Sequence, residues 1–430
     1  MRTHTKKPVG YARAQAAKII LRVVDQGKSL DDKILGEVTE DRAFIQELSY
    51  GVCRWLGELE SVASQFLRKP LRKKDRDVHY LLLVGLYQLR YIDTASHAAI
   101  YETVEACKAL GKPWAAKMIN GCLRNYQRTS PPLDPIAAAR LAHPAWLQEA
   151  LTEAWPEHVE ELYLANNERP PMCLRVNQRQ HKRDQYLQIL RNNGIACEPD
   201  QDSTAGIRLD QPCAVNQLPG FAEGACSVQD TAAQLAVQHF DVGPEHVVLD
   251  ACSAPGGKLA HLAERLDGAA KLDALDISTR RCQQTKQTLE RLSLQANLIE
   301  ADARHWRGEY HYDRIMVDAP CSGLGVLRRH PDIRHHRSQA NLRELITTQA
   351  QILDNCWHLL KPNGQLLYVT CSLLPAENEA QINAFMQRHE DATVSDLMLP
   401  TGLKLEHGWQ TLPNLHDMDG FYYCLLIKAG

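Results

Sequence analysis

The feature that most constrains this chain is an alternation, from about residue 226 onward, of short apolar runs with helix-like stretches. The runs cover 246–250 ("HVVLD"), 271–276, 296–302, 313–318, 364–370 and 421–428, and segments such as "TRRCQQTKQTLERLSL" separate them. Continuous apolar strands divided by helices build a parallel sheet covered on both faces. Such sheets bind ligands at the carboxyl ends of their strands. That rule gathers Asp250, Asp276, Asp302, Asp318, Cys321 and Cys371 along one edge.

The residues before the alternation read differently. Residues 1–140 carry helical periodicity: "RAQAAKIILRVVDQG" stops at Gly27, "HYLLLVGLYQLRYI" is apolar throughout, and "SHAAIYETVEACKALG" opens on a Ser cap and stops at Gly111. "TSPPLDP", from Thr129, reads as a linker. Residues 141–225 are mixed, with short strands expected at "MCLRVNQ", "IACEPD" and "GIRLD" around the helix "KRDQYLQILRNNG". The expected fold is therefore multidomain: an all-α domain over 1–140, a small α+β domain over 141–225 and an α/β, Rossmann-like domain with a mainly parallel sheet over 226–430.

Charge separates these parts. Residues 1–140 hold 23 Lys and Arg against 15 Asp and Glu, whereas the rest hold 26 against 37. A basic domain joined to an acidic one, with the run "RKPLRKKDR" at 68–76, points to a polyanionic partner for the first. No window approaches the ~20 apolar residues of a membrane span, and the first residues carry no apolar signal core, so a cytoplasmic protein is expected. The 13 cysteines include no CxxC pair, so neither zinc nor a disulfide framework is expected.

The first strand-to-helix turn, "LDACSAPGGKLAHLAERL", is not a Walker loop, because Cys252 and Leu259 stand where that loop needs Gly and Ser or Thr. It also lacks GxGxxG. What remains is a tight Gly256-Gly257 turn that lets a ligand approach backbone, with Asp276 nineteen residues beyond Gly257, where an acid bonds ribose hydroxyls. Asp302 is placed for an adenine edge. A nucleoside cofactor with no pyrophosphate fits, and S-adenosylmethionine is the candidate. It would lie along Cys252, Ser253, Ala254, Pro255, Gly256, Gly257 and Lys258, with Asp276, Asp302 and Asp318 around it.

Two cysteines, Cys321 in "VDAPCSGLG" and Cys371 in "YVTCSLLP", lie fifty positions apart, and each precedes a serine at the end of an apolar run. "DACSAPGGK", "VDAPCSGLGVLRRHPDIR" and "YVTCSLLPAENE", with the upstream "PGFAEGACSVQDTAAQLAV", resemble in order and spacing the motifs of RNA cytosine-5 methyltransferases of the Nol1/Nop2/Sun family. The helical first domain is similar to a NusB-type RNA-binding domain. Ser253 stands where that family commonly has alanine. The resemblance implies a class I methyltransferase fold, S-adenosylmethionine as cofactor and small-subunit ribosomal RNA as substrate; a monomer without metal or membrane contact is expected.

It also implies a division of labour between the thiols. C5 of cytosine is a poor nucleophile, and a thiolate added to C6 makes C5 enamine-like. In DNA cytosine-5 methyltransferases the Pro-Cys thiol attacks, which would nominate Cys321. The family resembled here uses the Thr-Cys thiol, which nominates Cys371 and leaves Cys321 to assist release, with Asp318 at the N3 side of the ring. The cations after Cys321, Arg328, Arg329 and His330 among them, are expected to hold RNA phosphates. The rival readings are the same chemistry on transfer RNA and a non-catalytic NusB-like RNA-binding factor.

Overall fold

The computed structural model describes residues 9–36, 41–129, 134–266, 271–413 and 415–430. Contacts divide the chain into two compact units, Met1–Arg169 with Leu327–Arg337, and Pro170–Val326 with Ser338–Gly430. Among the described residues, no helix is long and apolar enough to cross a membrane.

The first unit is helical. Its centre is the helix Arg76–Tyr91, whose residues Val78 and Tyr80–Leu83 are fully buried. A helix apolar on every side has to be surrounded, and Tyr11–Val24, Arg42–Arg54, Ser96–Ala109 and Ala116–Thr129 contribute to one core with it. The expected Ser96 cap does not form. The helix begins at Ser96 itself, and extended Ala95 takes the cap position, its carbonyl accepting from the amides of Ala98 and Ala99. The expected linker is partly helix, through Thr129, and its residues 130–133 lie outside the described residues. The helices Pro135–Leu141, Ala145–Ala154 and Val159–Ala165 fall within this unit.

The second unit holds two sheets. In the smaller, β1 (Met172–Val176), β2 (Cys197–Pro199), β3 (Gly206–Leu209) and β4 (Cys226–Val228) pair antiparallel in the order β2-β3-β1-β4 over a core shared with Arg183–Asn192. The larger contains β5 (Val247–Asp250), β6 (Lys271–Asp276), β7 (Asn297–Glu300), β8 (Tyr312–Asp318), β9 (Leu360–Thr370), β10 (Ala392–Ser395), β11 (Leu403–Lys404), β12 (Trp409–Gln410) and β13 (Tyr422–Lys428). Its order is β11-β12-β13-β9-β8-β5-β6-β7, with β10 on β13; β5 to β9 run parallel and β13 antiparallel to β9.

Strand residues alternate between two cores, as a pleat requires. Val248, Met316, Leu367 and Val369 face one side with the helices Thr231–Gln238, Gly257–Leu266 and Thr279–Leu292, while Leu249, Ile315, Leu366 and Tyr368 face the other with Gln339–Leu359 and Glu379–Arg388. The chain runs outward through β5, β6 and β7, then returns to lay β8 on the opposite side of β5. That reversal opens a crevice at the carboxyl ends of β5 and β8, the place where such sheets take ligands.

Candidate active site

The turn after β5 is built for backbone contact. Gly256 has φ 95°, and a Cβ there would stand 3.1 Å from Thr285 Cγ2 and 3.3 Å from its Cα. A side chain would be strained by both conformation and space. Cys252 turns its side chain toward the core and leaves backbone to line the turn. Ser253 and Ala254 are buried, and Pro255 is exposed. From β1, the buried Arg175 holds Glu264 in two parallel hydrogen bonds of 3.0 and 2.8 Å and donates to the Gly257 carbonyl at 2.9 Å. The small sheet thus braces the turn, a role for Arg175 that its isolated place in a short strand did not signal.

Carboxylates surround this turn. Asp250 is fully buried, and neither of its oxygens makes a hydrogen bond of ordinary geometry. Burial, with the negative charge of Asp318 beside it, pushes its carboxyl up to about 8, against the downward pull of the Lys258 ammonium and the Cys252 amide. Asp276 ends β6, almost wholly buried, with Oδ1 accepting from the Ser278 amide at 2.9 Å and Arg281 3.4 Å from Oδ2. Ile277, next in the chain, is 63% exposed, an apolar surface beside that acid. Asp302 lies beyond the end of its strand, because β7 stops at Glu300, and Arg304 grips it through both oxygens and depresses its carboxyl.

Asp318 ends β8 and accepts from Lys258 Nζ at 2.7 Å. Burial pulls the Lys258 ammonium down, and its attraction to Asp318 outweighs that, so the net direction is up. The same ammonium lies 4.9 Å from the centre of the Phe421 ring.

The two cysteines meet: Sγ of Cys321, just past β8, is 3.4 Å from Sγ of Cys371, just past β9. All 13 cysteines are free thiols. The hydrogen bond with Cys371 pushes the Cys321 thiol well up, reinforced by burial and by the charges of Cys371 and Glu377.

The reason for the repeated Cys-Ser lies beneath them. Ser322 Oγ and Ser372 Oγ stand 3.1 Å apart and both donate to Oε2 of Glu377, a fully buried carboxylate. Glu377 belongs to the "AENE" stretch that follows the second turn. Only that unusual pair of acids flanking Asn378 marks it in the sequence.

Of the cations after Cys321, the structure removes Arg328 from the expected set. It is 1% exposed, its carbonyl accepting from Arg54 Nη2, because the segment from Leu327 to Arg337 belongs to the helical unit rather than to open solvent. Arg334 is buried as deeply, its guanidinium donating to the carbonyls of Arg54, Ala142 and Asn166 and to Asn167 Oδ1. Arg329 is half-buried and His330 exposed. Among the described residues, no group of three or more His, Cys, Asp or Glu is placed to hold a metal ion.

Comparison with known proteins agrees along the whole chain. Residues 237–427 match the model of the 16S rRNA methyltransferase RsmB/F family, residues 143–216 the RsmF/B-like ferredoxin-like domain and residues 11–128 the NusB family. The ribosomal RNA small subunit methyltransferase B of Serratia proteamaculans (strain 568) is 44% identical over 428 residues, covering 97% of this chain and 98% of its own. The crystal structure of PH0851 has the same fold, with TM-score 0.83 at 23% identity over 98% of this chain and 99% of that one. NSun6 from Pyrococcus horikoshii, solved with SFG, overlays with TM-score 0.62 at 18% identity, over 67% of this chain and 98% of its own. The chain belongs to the RsmB/F family of 16S ribosomal RNA methyltransferases.

Proposed function

We propose that this chain methylates C5 of a cytidine in 16S ribosomal RNA, with Cys371 as the nucleophile that adds to C6. The observation that carries the reading is the pair of free thiols 3.4 Å apart, at the carboxyl ends of adjacent parallel strands and on the same edge as the Lys258–Asp318 pair.

The residues around the first turn fit S-adenosylmethionine. The positive-φ Gly256 admits a ligand against backbone, Asp276 offers its carboxylate to the ribose hydroxyls, Ile277 offers an apolar face for the adenine and Asp302 lies at its edge. The similarly folded NSun6 was solved with SFG, an S-adenosylmethionine analogue, which supports a cofactor of that class. When bound, S-adenosylmethionine supplies an electrophilic methyl on its sulfonium.

The protein's own residues do the rest. The Cys371 thiolate forms a bond to C6, and the C5–C6 π electrons become available at C5 while charge develops toward N3. Asp318, held by Lys258, orients the ring at its N3 edge, and the Lys258 ammonium beside it offsets the charge developing there. After methylation the C5 proton passes to solvent water, the C5–C6 double bond re-forms as the bond from C6 to Cys371 Sγ breaks, and Cys321 assists release by giving its thiol proton to the departing Cys371 sulfur. The target base has to leave its stack to reach this edge, which is least costly in loops and bulges. The helical 1–140 part anchors phosphates with exposed Arg68, Lys69, Arg72, Lys73 and Lys74, and Arg329 and His330 add to this. The 141–225 part braces the cofactor turn, and 226–430 carries the chemistry, in a cytoplasmic monomer.

Bisulfite sequencing of ribosomal and transfer RNA, from cells with and without the gene, tests the reading. One 16S cytosine should lose its protection on deletion and regain it with the wild-type gene but not with Cys371→Ala. A change confined to transfer RNA would move the substrate. No change in either RNA would return the chain to a non-catalytic binding role.

A further inference from the structure

Each thiol precedes a serine that Glu377 binds. The carboxylate is completely buried, and four donors converge on its two oxygens: the Ser322 and Ser372 hydroxyls on Oε2, and the Ser322 amide at 2.8 Å and Gln349 Nε2 at 3.0 Å on Oε1. This is the complement that a carboxylate takes when its burial is compensated. Gln349 also donates to the Pro320 carbonyl at 3.0 Å, so the residue before Cys321 is tied to the same cluster. On the β9 side, the Tyr368 hydroxyl donates to the Glu377 carbonyl at 2.8 Å, and Asn378 accepts from Thr370 Oγ1 at 2.6 Å and donates to the Ser372 carbonyl at 3.0 Å. Both cysteine turns therefore hang from one short segment, which adds to the pairing of β8 with β9 that ends at Asp318 and Val369.

We propose that Glu377 is a positioning residue for the two thiols: through Ser322 and Ser372 it holds the turns that bring Cys321 and Cys371 into contact. The proposal rests on the catalytic reading above for its roles, but its geometry and its electrostatics can be read without RNA. The buried Glu377 carboxylate also acts on Cys321 as a like charge, opposing its ionisation.

The test uses the full-length protein with Glu377→Gln, which keeps the shape and removes the charge, and with the double substitution Ser322→Ala and Ser372→Ala, which keeps the charge and cuts the tether. Iodoacetamide labelling across pH, with each cysteine resolved by mass spectrometry, reports ionisation directly. In Glu377→Gln the midpoint for Cys321 should fall. In the serine double variant the single-turnover rate of methyl transfer should fall about a hundredfold, as a displacement near 1 Å can cost, with S-adenosylmethionine affinity by calorimetry within twofold of wild type. An unmoved Cys321 midpoint in Glu377→Gln would remove the electrostatic role, and a rate within twofold of wild type in the serine variant would remove the positioning role. Failure of the catalytic reading would look different: wild-type protein would then make no 5-methylcytidine, whatever the labelling of the variants.

Discussion

Asp250 is the residue whose environment is most at odds with its chemistry. A carboxyl with no hydrogen bond of ordinary geometry, at the end of a buried strand, is held protonated past its ordinary range, up to about 8. Its folded-state value is raised above that of the unfolded chain, so its contribution to stability is complete in acid and is lost as pH rises through about 8. Asp250→Asn has no such loss. The melting temperature of the variant should therefore gain on that of wild type between about pH 5 and pH 8, and level off above. A constant difference across that range would mean that Asp250 is ionised in the fold. Other parts of the site are legible one residue at a time. Asp318 and the two cysteines end apolar runs in the sequence, and the structure brings the cysteines into contact and sets Lys258 on Asp318. Glu377 was not legible, because its function lies in four hydrogen bonds from donors between 5 and 55 positions away, and no local pattern encodes such convergence.

At the scale of elements, what the sequence announced depended on strand length and context. The six runs expected as strands became β5 to β9 and β13; β5, β6, β8 and β9, parallel strands covered on both faces, are written as nearly continuous apolar stretches. The short pieces β4 and β10 to β12, two to four residues each, have too few residues for any period and take their form from the strand beside them. The segment 327–337 misled for a different reason. Its cations read as a solvated, RNA-facing loop, yet Arg334 serves as a buried tie among carbonyls, and burial lowers its guanidinium to about 9. Arg334→Met would leave those carbonyls and Asn167 without their donor. Chemical denaturation should register a loss of about 3 kcal/mol. A change below about 0.5 kcal/mol would mean that the segment is held by other contacts.

For the whole molecule, the division of charge is the property that bears on RNA. The basic run at 68–76 is solvent-exposed at Arg68, Lys69, Arg72, Lys73 and Lys74, as a phosphate-binding surface must be. Replacing Arg68, Lys69 and Arg72 together by Gln should flatten the dependence of log affinity on log salt by about 2, since each phosphate contact contributes roughly 0.7 to that slope with single strands. An unchanged slope would place the RNA-anchoring surface elsewhere. Point substitutions are the cleaner probe here, because removing residues 1–140 would also strip Val23, Cys53 and Arg54 from their bonds to His336, His335 and Arg334.

The central claim is that the two touching thiols act at different stages of one covalent reaction. Rate loss alone cannot separate them, since both Cys321→Ala and Cys371→Ala should fail in turnover. The intermediates can. Each variant is incubated with unmodified 16S RNA and S-adenosylmethionine, then run on a denaturing gel. The expected result is a protein–RNA species that survives denaturation for Cys321→Ala, which still attacks and methylates but stalls before release, and none for Cys371→Ala, which has no nucleophile. A covalent species in Cys371→Ala with none in Cys321→Ala would reverse the assignment, and methylation retained by both variants with no covalent species in either would contradict the covalent mechanism itself.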